Sequence, residues 1–281
     1  MHVRADLHIH TQASDGDLSP GQVVSLAEYS GLDAIAVTDH DTLSGARDAI
    51  EAAAGSAILS IPGVEISVTY DPGTLHILGY FPSFPEGFEN VLKRLQDART
   101  VRLPKMIEKL NSLGVDISVS DVTDDARDGQ IGRPHVAKIL VEKGYVRDFD
   151  EAFTRYLAKG KPAYVEKDRM SSREAIETIL GYGGLPVLAH PFTLGLSPSE
   201  AKDFVGNLAG KGLKGIEIFY PDHTRAQKKL YAGIAREFGL VVTGGTDFHG
   251  AGKKGVSLGE YGLDKEGLAS FLERLYGKSG N

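Results

Sequence analysis

Cysteine and tryptophan are absent from this chain of 281 residues, and methionine occurs three times. Without thiols there is no disulfide and no thiolate metal site, so a transition-metal site has to be assembled from imidazole and carboxylate. No run of about eighteen apolar residues occurs, and the N-terminus lacks the basic segment and apolar stretch of a secretion signal. A cytoplasmic chain without membrane contact is the expectation. The first apolar run is not followed by a Gly-x-Gly-x-x-Gly turn, which removes support for a dinucleotide fold. Positive charge is scarce too: the net charge is −7. With no basic stripe and interleaved aromatics, processive action on long nucleic acids is not expected.

What is present is an ordinary globular mix, 41% apolar and 25% charged, enough for one large core or two modest ones. Residues 93–161 carry 14 Lys plus Arg against 11 Asp plus Glu, a net of +3, leaving −10 for the remainder. An acidic scaffold could hold cations while the comparatively basic middle meets an anionic substrate, or that middle is simply a solvated helical surface.

Periodicity and capping signals predict a strand at 3–9, a helix from the Ser19/Gln22 capping box to Gly31, a buried strand at 33–38 and a helix at 42–54. Strand material at 58–70 is interrupted by Pro62-Gly63, which places Glu65 just past a turn, and 74–81 gives another strand carrying His76. From about Glu86 the pattern turns helical: Leu92, Leu95, Leu103, Met106, Leu110 and Leu113 form one stripe up to Gly114, with a bend expected at Pro104. Helices at 134–143 and 149–157 follow. Beyond Lys161-Pro162 the alternation resumes with a capped helix from Ser171 to Tyr182 and a strand at 185–189. A helix opening at Ser197-Pro198, a strand at 215–220, a helix at 224–238, a strand at 240–243 and a last helix at 265–276 complete it. The expected organisation is a discontinuous α/β domain, 1–85 plus 162–281, with an inserted helical substrate-binding subdomain at 86–161.

The histidines carry most of the functional information. His8 with His10, His40, Glu65, His76, His190, and Asp247 with His249 fall at or just beyond the C-terminal ends of expected strands. In a barrel of parallel strands those ends form one rim, so distant residues converge on a single polar cavity. With Asp15 these are nine potential ligands, enough for two or three ions sharing a bridging carboxylate. Such a donor set suits zinc, manganese or iron, with magnesium an option, and it suits displacement at phosphorus.

His8-Ile9-His10, Asp15-Gly16, Thr38-Asp39-His40, Gly63-Val64-Glu65, His76, Ala189-His190-Pro191 and Gly245-Thr246-Asp247-Phe248-His249 resemble, in order, the motifs of the PHP family, named for polymerase and histidinol phosphatase domains. The resemblance covers roughly 1–85 and 162–281. It implies a distorted seven-stranded β/α barrel with a trinuclear site: His8, His10, Glu65 and Asp247 on one ion, Glu65, His76 and His190 on a second, Asp15, His40 and His249 on a third. Glu65 would be the bridge, and Asp247 and Glu65 would take part in the chemistry. Aspartate at position 15 is similar to the nucleotide-acting branch.

Gly132-Arg133-Pro134-His135, Gly160-Lys161-Pro162 and Tyr220-Pro221-Asp222-His223 resemble the same branch. Arg133 could fork onto a phosphate, or pair with Asp125 or Asp128; His135 or His223 could bind phosphate or protonate a leaving oxygen; Lys161 could add a cation or be an ordinary solvated lysine. The resemblance implies a phosphomonoesterase acting on a nucleotide, a nucleoside 3′,5′-bisphosphate or AMP, through a hydroxide bridging the ions. Trimming of short RNA and histidinol-phosphate hydrolysis are the alternatives within the family. An amidohydrolase-like enzyme is the alternative outside it, and a non-catalytic PHP module that supports a polymerase or another partner is the alternative without chemistry. A small phosphorylated substrate is expected, and no stable protein partner.

Overall fold

The computed structural model describes residues 2–70, 75–126, 131–166, 169–250 and 255–277, without the side chains of 98–100, 125 and 126. Seven apolar runs become strands: β1 (Ala5–Ile9), β2 (Ala34–Val37), β3 (Leu59–Val68), β4 (Leu75–Tyr80), β5 (Leu185–Leu188), β6 (Gly215–Phe219) and β7 (Val241–Gly244). They pair in sequence order. The ends meet where Ile9 bridges Phe248 and the Thr246 N–H donates to Asp6, so the sheet is a nearly closed barrel. Thr74, expected to open the fourth strand, lies outside the described residues.

Two features depart from the expected parallel barrel. β3 runs through Pro62-Gly63 without a break, so Glu65 lies within a strand and not past a turn. Up to Pro62 the strand pairs in parallel with β2, and from Gly63 it pairs antiparallel with β4. Proline, which lacks a ladder N–H, falls where the pairing changes. Glycine follows because a Cβ at position 63 would sit 2.8 Å from Thr38 Cγ2 and 3.0 Å from the Val37 carbonyl oxygen. The second departure is that β4 is antiparallel to both neighbours, pairing with β5 from Ile77↔Leu188 to Tyr80↔Leu185. His76 therefore lies near the start of its strand, and reaches the common rim because that strand is reversed.

Helices α1 (Pro20–Tyr29) and α2 (Ser44–Ala52) cover one side, where Val23, Val24, Ala27 and Ala49 pack on Ile9, Ile35 and Val37. The Ser19/Gln22 capping box forms as expected. α3 (Phe88–Ser112) contains Pro104 and serves two cores. Phe88, Leu92 and Leu95 join the barrel's outer cluster, whereas Leu103, Met106, Ile107 and Leu110 join a separate cluster built from residues 103–163. Leu113, expected on that stripe, is the C-cap and is 46% exposed.

α4 (Val119–Ala126) has no counterpart among the expected helices. Its start is held reciprocally, Ser118 Oγ accepting from the Asp121 N–H and Asp121 Oδ2 from the Ser118 N–H. α5 (Arg133–Glu142) matches expectation, but the helix expected at 149–157 is only one turn of α6 (Phe149–Ala152) before widening into a π-turn over Phe153–Leu157. α7 (Ser172–Gly181), α8 (Pro198–Gly210) and α9 (Arg225–Phe238) complete the outer layer. α10 (Lys265–Tyr276) closes the far end through Leu268, Phe271 and Leu275, the Phe271 ring meeting Tyr80 edge-on.

Candidate metal centre

The geometry centres on Glu65, fully buried on β3. Its Oε1 lies 2.7 Å from His76 Nδ1 and 2.9 Å from His190 Nε2. Its Oε2 lies 3.0 Å from His40 Nδ1, 3.2 Å from His10 Nε2 and 3.4 Å from His8 Nε2. A carboxylate touched by five imidazoles has far more donors around it than two oxygens need, as expected where cations sit between the groups. Asp247 Oδ1 is 3.1 Å from His10 Nε2 and 3.5 Å from His8 Nε2, and Asp15 Oδ1 is 3.4 Å from His249 Nε2.

Three groups of donor atoms lie close enough to share an ion: His8, His10 and Glu65; His40, Glu65 and His76; and His10, Asp15, His40 and His249. They overlap the expected three sets, but His10 and His40 each join a second group, and the expected ligands His190 and Asp247 belong to none of the three, although His190 Nε2 lies 2.9 Å from Glu65 Oε1 and Asp247 Oδ1 lies 3.1 Å from His10 Nε2. A donor set of this kind fits a metal. His8 Nε2 and His10 Nε2 are buried without a well-directed hydrogen bond. Their spacings to the neighbouring carboxylate oxygens, 3.1–3.5 Å, bracket the donor separation of about 3.3 Å that bonds of about 2.0–2.1 Å give around a tetrahedral ion.

The electrostatics agree. Burial works against charge at every member, yet His10 is lifted to about 10 by contact with Asp247 and Glu65, and His8 is held well above the usual histidine range by Glu217, Glu65 and Asp247. Glu65, despite burial, is held well below the carboxylate range by His76, His40 and His8, and Asp15 likewise by His40 and His249. Interlocked shifts of opposite direction mark a pocket that stabilises positive charge.

Several contributors escaped the sequence reading. Glu217, buried on β6, lies 3.0 Å from His8 Nδ1 and accepts the His190 N–H at 2.8 Å. Its signal was a charge inside the apolar strand Gly215–Phe219. Asp6 accepts from the Thr246 N–H, the Thr246 hydroxyl and the Gly259 N–H, tying β1 to the segment that carries Asp247. Asp39 accepts from the Thr11 N–H at 2.7 Å, the Thr11 hydroxyl at 2.6 Å and the Ser14 hydroxyl at 2.5 Å, fixing the loop that carries Asp15. The Tyr220 hydroxyl donates to Asp247 Oδ2 at 2.8 Å. His190 and Asp247 adopt φ of 24° and 50°, a region non-glycine residues occupy only when their surroundings hold them there.

The remaining expected residues lie outside this cluster. His223 is buried, its Nδ1–H donates to the Ile218 carbonyl, and burial pushes its pKa down. Its ring packs 5.3 Å from Tyr220, which links it to Asp247. Arg133 donates to the Leu157 carbonyl and lies over the Phe153 and Tyr164 rings. His135 Nδ1 accepts the Gly132 N–H, and Lys161 is exposed. Asp128, one candidate partner of Arg133, lies outside the described residues, as does the side chain of Asp125.

The family model described as PHP domain matches residues 6–166. A 5′-3′ exoribonuclease from Haemophilus influenzae is 34% identical over 252 residues, covering 89% of this chain and 91% of that protein. A 3′,5′-nucleoside bisphosphate phosphatase from Chromobacterium violaceum is 33% identical over 261 residues, covering 90% of each. Among solved structures, a protein assigned as a metal-dependent phosphoesterase from Bifidobacterium adolescentis superposes with a TM-score of 0.86 at 30% identity, covering 96% of both chains.

Proposed function

The chain belongs to the PHP family and is a metal-dependent phosphoesterase, and on that premise we propose that it hydrolyses a phosphate monoester of a nucleotide, a nucleoside 3′,5′-bisphosphate or AMP, releasing inorganic phosphate. The observation that carries this reading is the convergence of five imidazoles on Glu65, flanked by Asp15 and Asp247. Divalent cations held there would activate water and neutralise charge on the phosphoryl oxygens.

The chain's own groups then have distinct tasks. His8, His10, His40, His76, His190 and His249 with Asp15, Glu65 and Asp247 are the metal-holding set, Glu65 being the shared carboxylate. Tyr220 orients Asp247. His223, its Nδ1–H held by the Ile218 carbonyl, is the residue to bind a phosphate oxygen or protonate a leaving group, and its Nε2 does either only in the imidazolium form, which burial disfavours in the free protein. The helical segment 86–161, which has its own apolar core, supplies Arg133, His135 and Lys161 for a second anionic group. Arg133 is pre-set for that task, its guanidinium braced by two rings and a carbonyl.

A phosphate-release panel with manganese, run on 3′,5′-bisphosphates, AMP, histidinol phosphate and short RNA, tests the reading. The nucleotides should be turned over far faster than histidinol phosphate, and no release from any nucleotide would overturn the proposal. A 5′-3′ trimming activity on short RNA is the second reading, favoured by the Haemophilus influenzae relative and by the basic balance of residues 93–161.

A further inference from the structure

We propose that Glu217 is a positioning residue that sets the tautomer of His8 and holds the backbone of His190; this rests on the reading of both histidines as metal ligands. Glu217 is fully buried, with Oε1 3.0 Å from His8 Nδ1 and Oε2 accepting the His190 N–H at 2.8 Å. A carboxylate oxygen only accepts, so when His8 carries a single proton, as a metal ligand does, that proton is at Nδ1 and the lone pair is at Nε2. Nε2 is the atom that faces Glu65 Oε2 at 3.4 Å and Asp247 Oδ1 at 3.5 Å. The other tautomer would aim a hydrogen into the donor cluster and leave no lone pair there for a cation.

The second oxygen has a different task. His190 sits at φ 24°, and the bond from its N–H to Glu217 is one of the restraints that keep it there. In that conformation its Nε2 reaches Glu65 Oε1 at 2.9 Å. β1 and β5 are not neighbours in the sheet, so a single carboxylate from β6 fixes the spacing of two ligands across the barrel.

Glutamine at this position keeps the volume and breaks one bond or the other, because its amide has one accepting and one donating end. With the oxygen on the His190 N–H, the amide NH₂ faces His8 Nδ1 and favours a proton on Nε2. With the oxygen on His8, the NH₂ confronts the His190 N–H.

Imidazole ¹⁵N NMR of the zinc-loaded wild-type protein, in which His8 keeps a single ring proton, reads the position of that proton without any variant: Nδ1–H is expected, and Nε2–H overturns the inference. Manganese is then titrated into Glu217→Gln, with thermal melting as the folding reference. Its affinity should fall about 10–100-fold, and kcat should fall while KM for the phosphate ester stays within about two-fold. A folded Glu217→Gln protein that binds manganese within about two-fold of wild type refutes it. Asp247→Asn separates this inference from the reading beneath it. If only Asp247→Asn weakens manganese binding, the metal centre stands and the role of Glu217 fails. If neither variant weakens it, the metal centre itself fails. Should Glu217→Gln not fold, the wild-type tautomer decides.

Discussion

Asp39→Asn tests whether the loop carrying Asp15 is held from below. Asp39 is fully buried and accepts three hydrogen bonds within 2.5–2.7 Å, from the Thr11 N–H, the Thr11 hydroxyl and the Ser14 hydroxyl. Asparagine can keep the two bonds on one oxygen, but they become neutral and lose about 1 kcal/mol each. The third is reversed, the amide NH₂ now facing the Thr11 hydroxyl. Against this stands the relief of a buried charge, whose cost shows in the upward push that burial gives the Asp39 carboxyl. The donors outnumber what a neutral amide can satisfy, so a net loss of about 2 kcal/mol is expected. With an unfolding entropy of about 2.1 cal/mol/K per residue, that corresponds to a drop in Tm of about 3–4 °C for a chain of this length. Scanning calorimetry of the metal-free protein measures it, and manganese stoichiometry should show weaker occupancy of the group containing Asp15. A variant that melts at or above wild type and binds manganese unchanged would show that Asp39 does not hold the loop.

Gly45→Ala should destabilise by a similar amount, because its Cβ would run into Asp39 Oδ2 and Thr11 Oγ1; Asp39→Ala removes the first of these clashes and leaves the second, so Gly45→Ala should cost less in the Asp39→Ala background than in the wild type, read from the melting curves of the four proteins. His76→Ala removes a partly exposed contact to Glu65 at 2.7 Å, so phosphate release should fall by about 100-fold or more while the metal-free melting curve stays near wild type. Chelator treatment should abolish turnover and lower Tm, and manganese at about 100 times its Kd should restore about 2.7 kcal/mol per site. Arg133→Ala should raise KM for a bisphosphate about ten-fold more than for a monophosphate, read by steady-state kinetics on the pair.

The clustering of the histidines with Asp15, Glu65 and Asp247 was legible because most of them follow the C-terminal ends of strands, and because β1 and β2 show their burial in short apolar runs. Their supports were less so. Glu217 was visible only as a charge in an apolar strand, and its partner His8 lies 209 positions away. Asp39 and Tyr220 sat inside quoted motifs, overshadowed by their histidine neighbours. The reversal of β4 left no local mark: strand direction depends on which neighbour a strand meets, and alternation along Leu75–Tyr80 reads the same either way. α4 was missed although Ser118 and Asp121 carry a capping signal, because an eight-residue polar helix has little apolar periodicity to show.

The rung at which Tyr80 faces Leu185 has a consequence for how such an enzyme can diversify. The chain leaves the barrel and returns to it on adjacent antiparallel strands, so residues 81–184 are topologically the loop of a hairpin. Closing a longer loop costs only about 0.6 kcal/mol per doubling of its length. The buried apolar residues of this loop from Leu103 to Ala163 form a cluster of their own, whereas Met170, Ala175, Ile176 and Ile179 rejoin the barrel's outer cluster. The reversed strand thus works as a socket: the rim, bound by ties across the barrel, tolerates little change, while the piece plugged in beside it can be resized or exchanged, which under the proposed role of Arg133, His135 and Lys161 would change the molecule presented for hydrolysis.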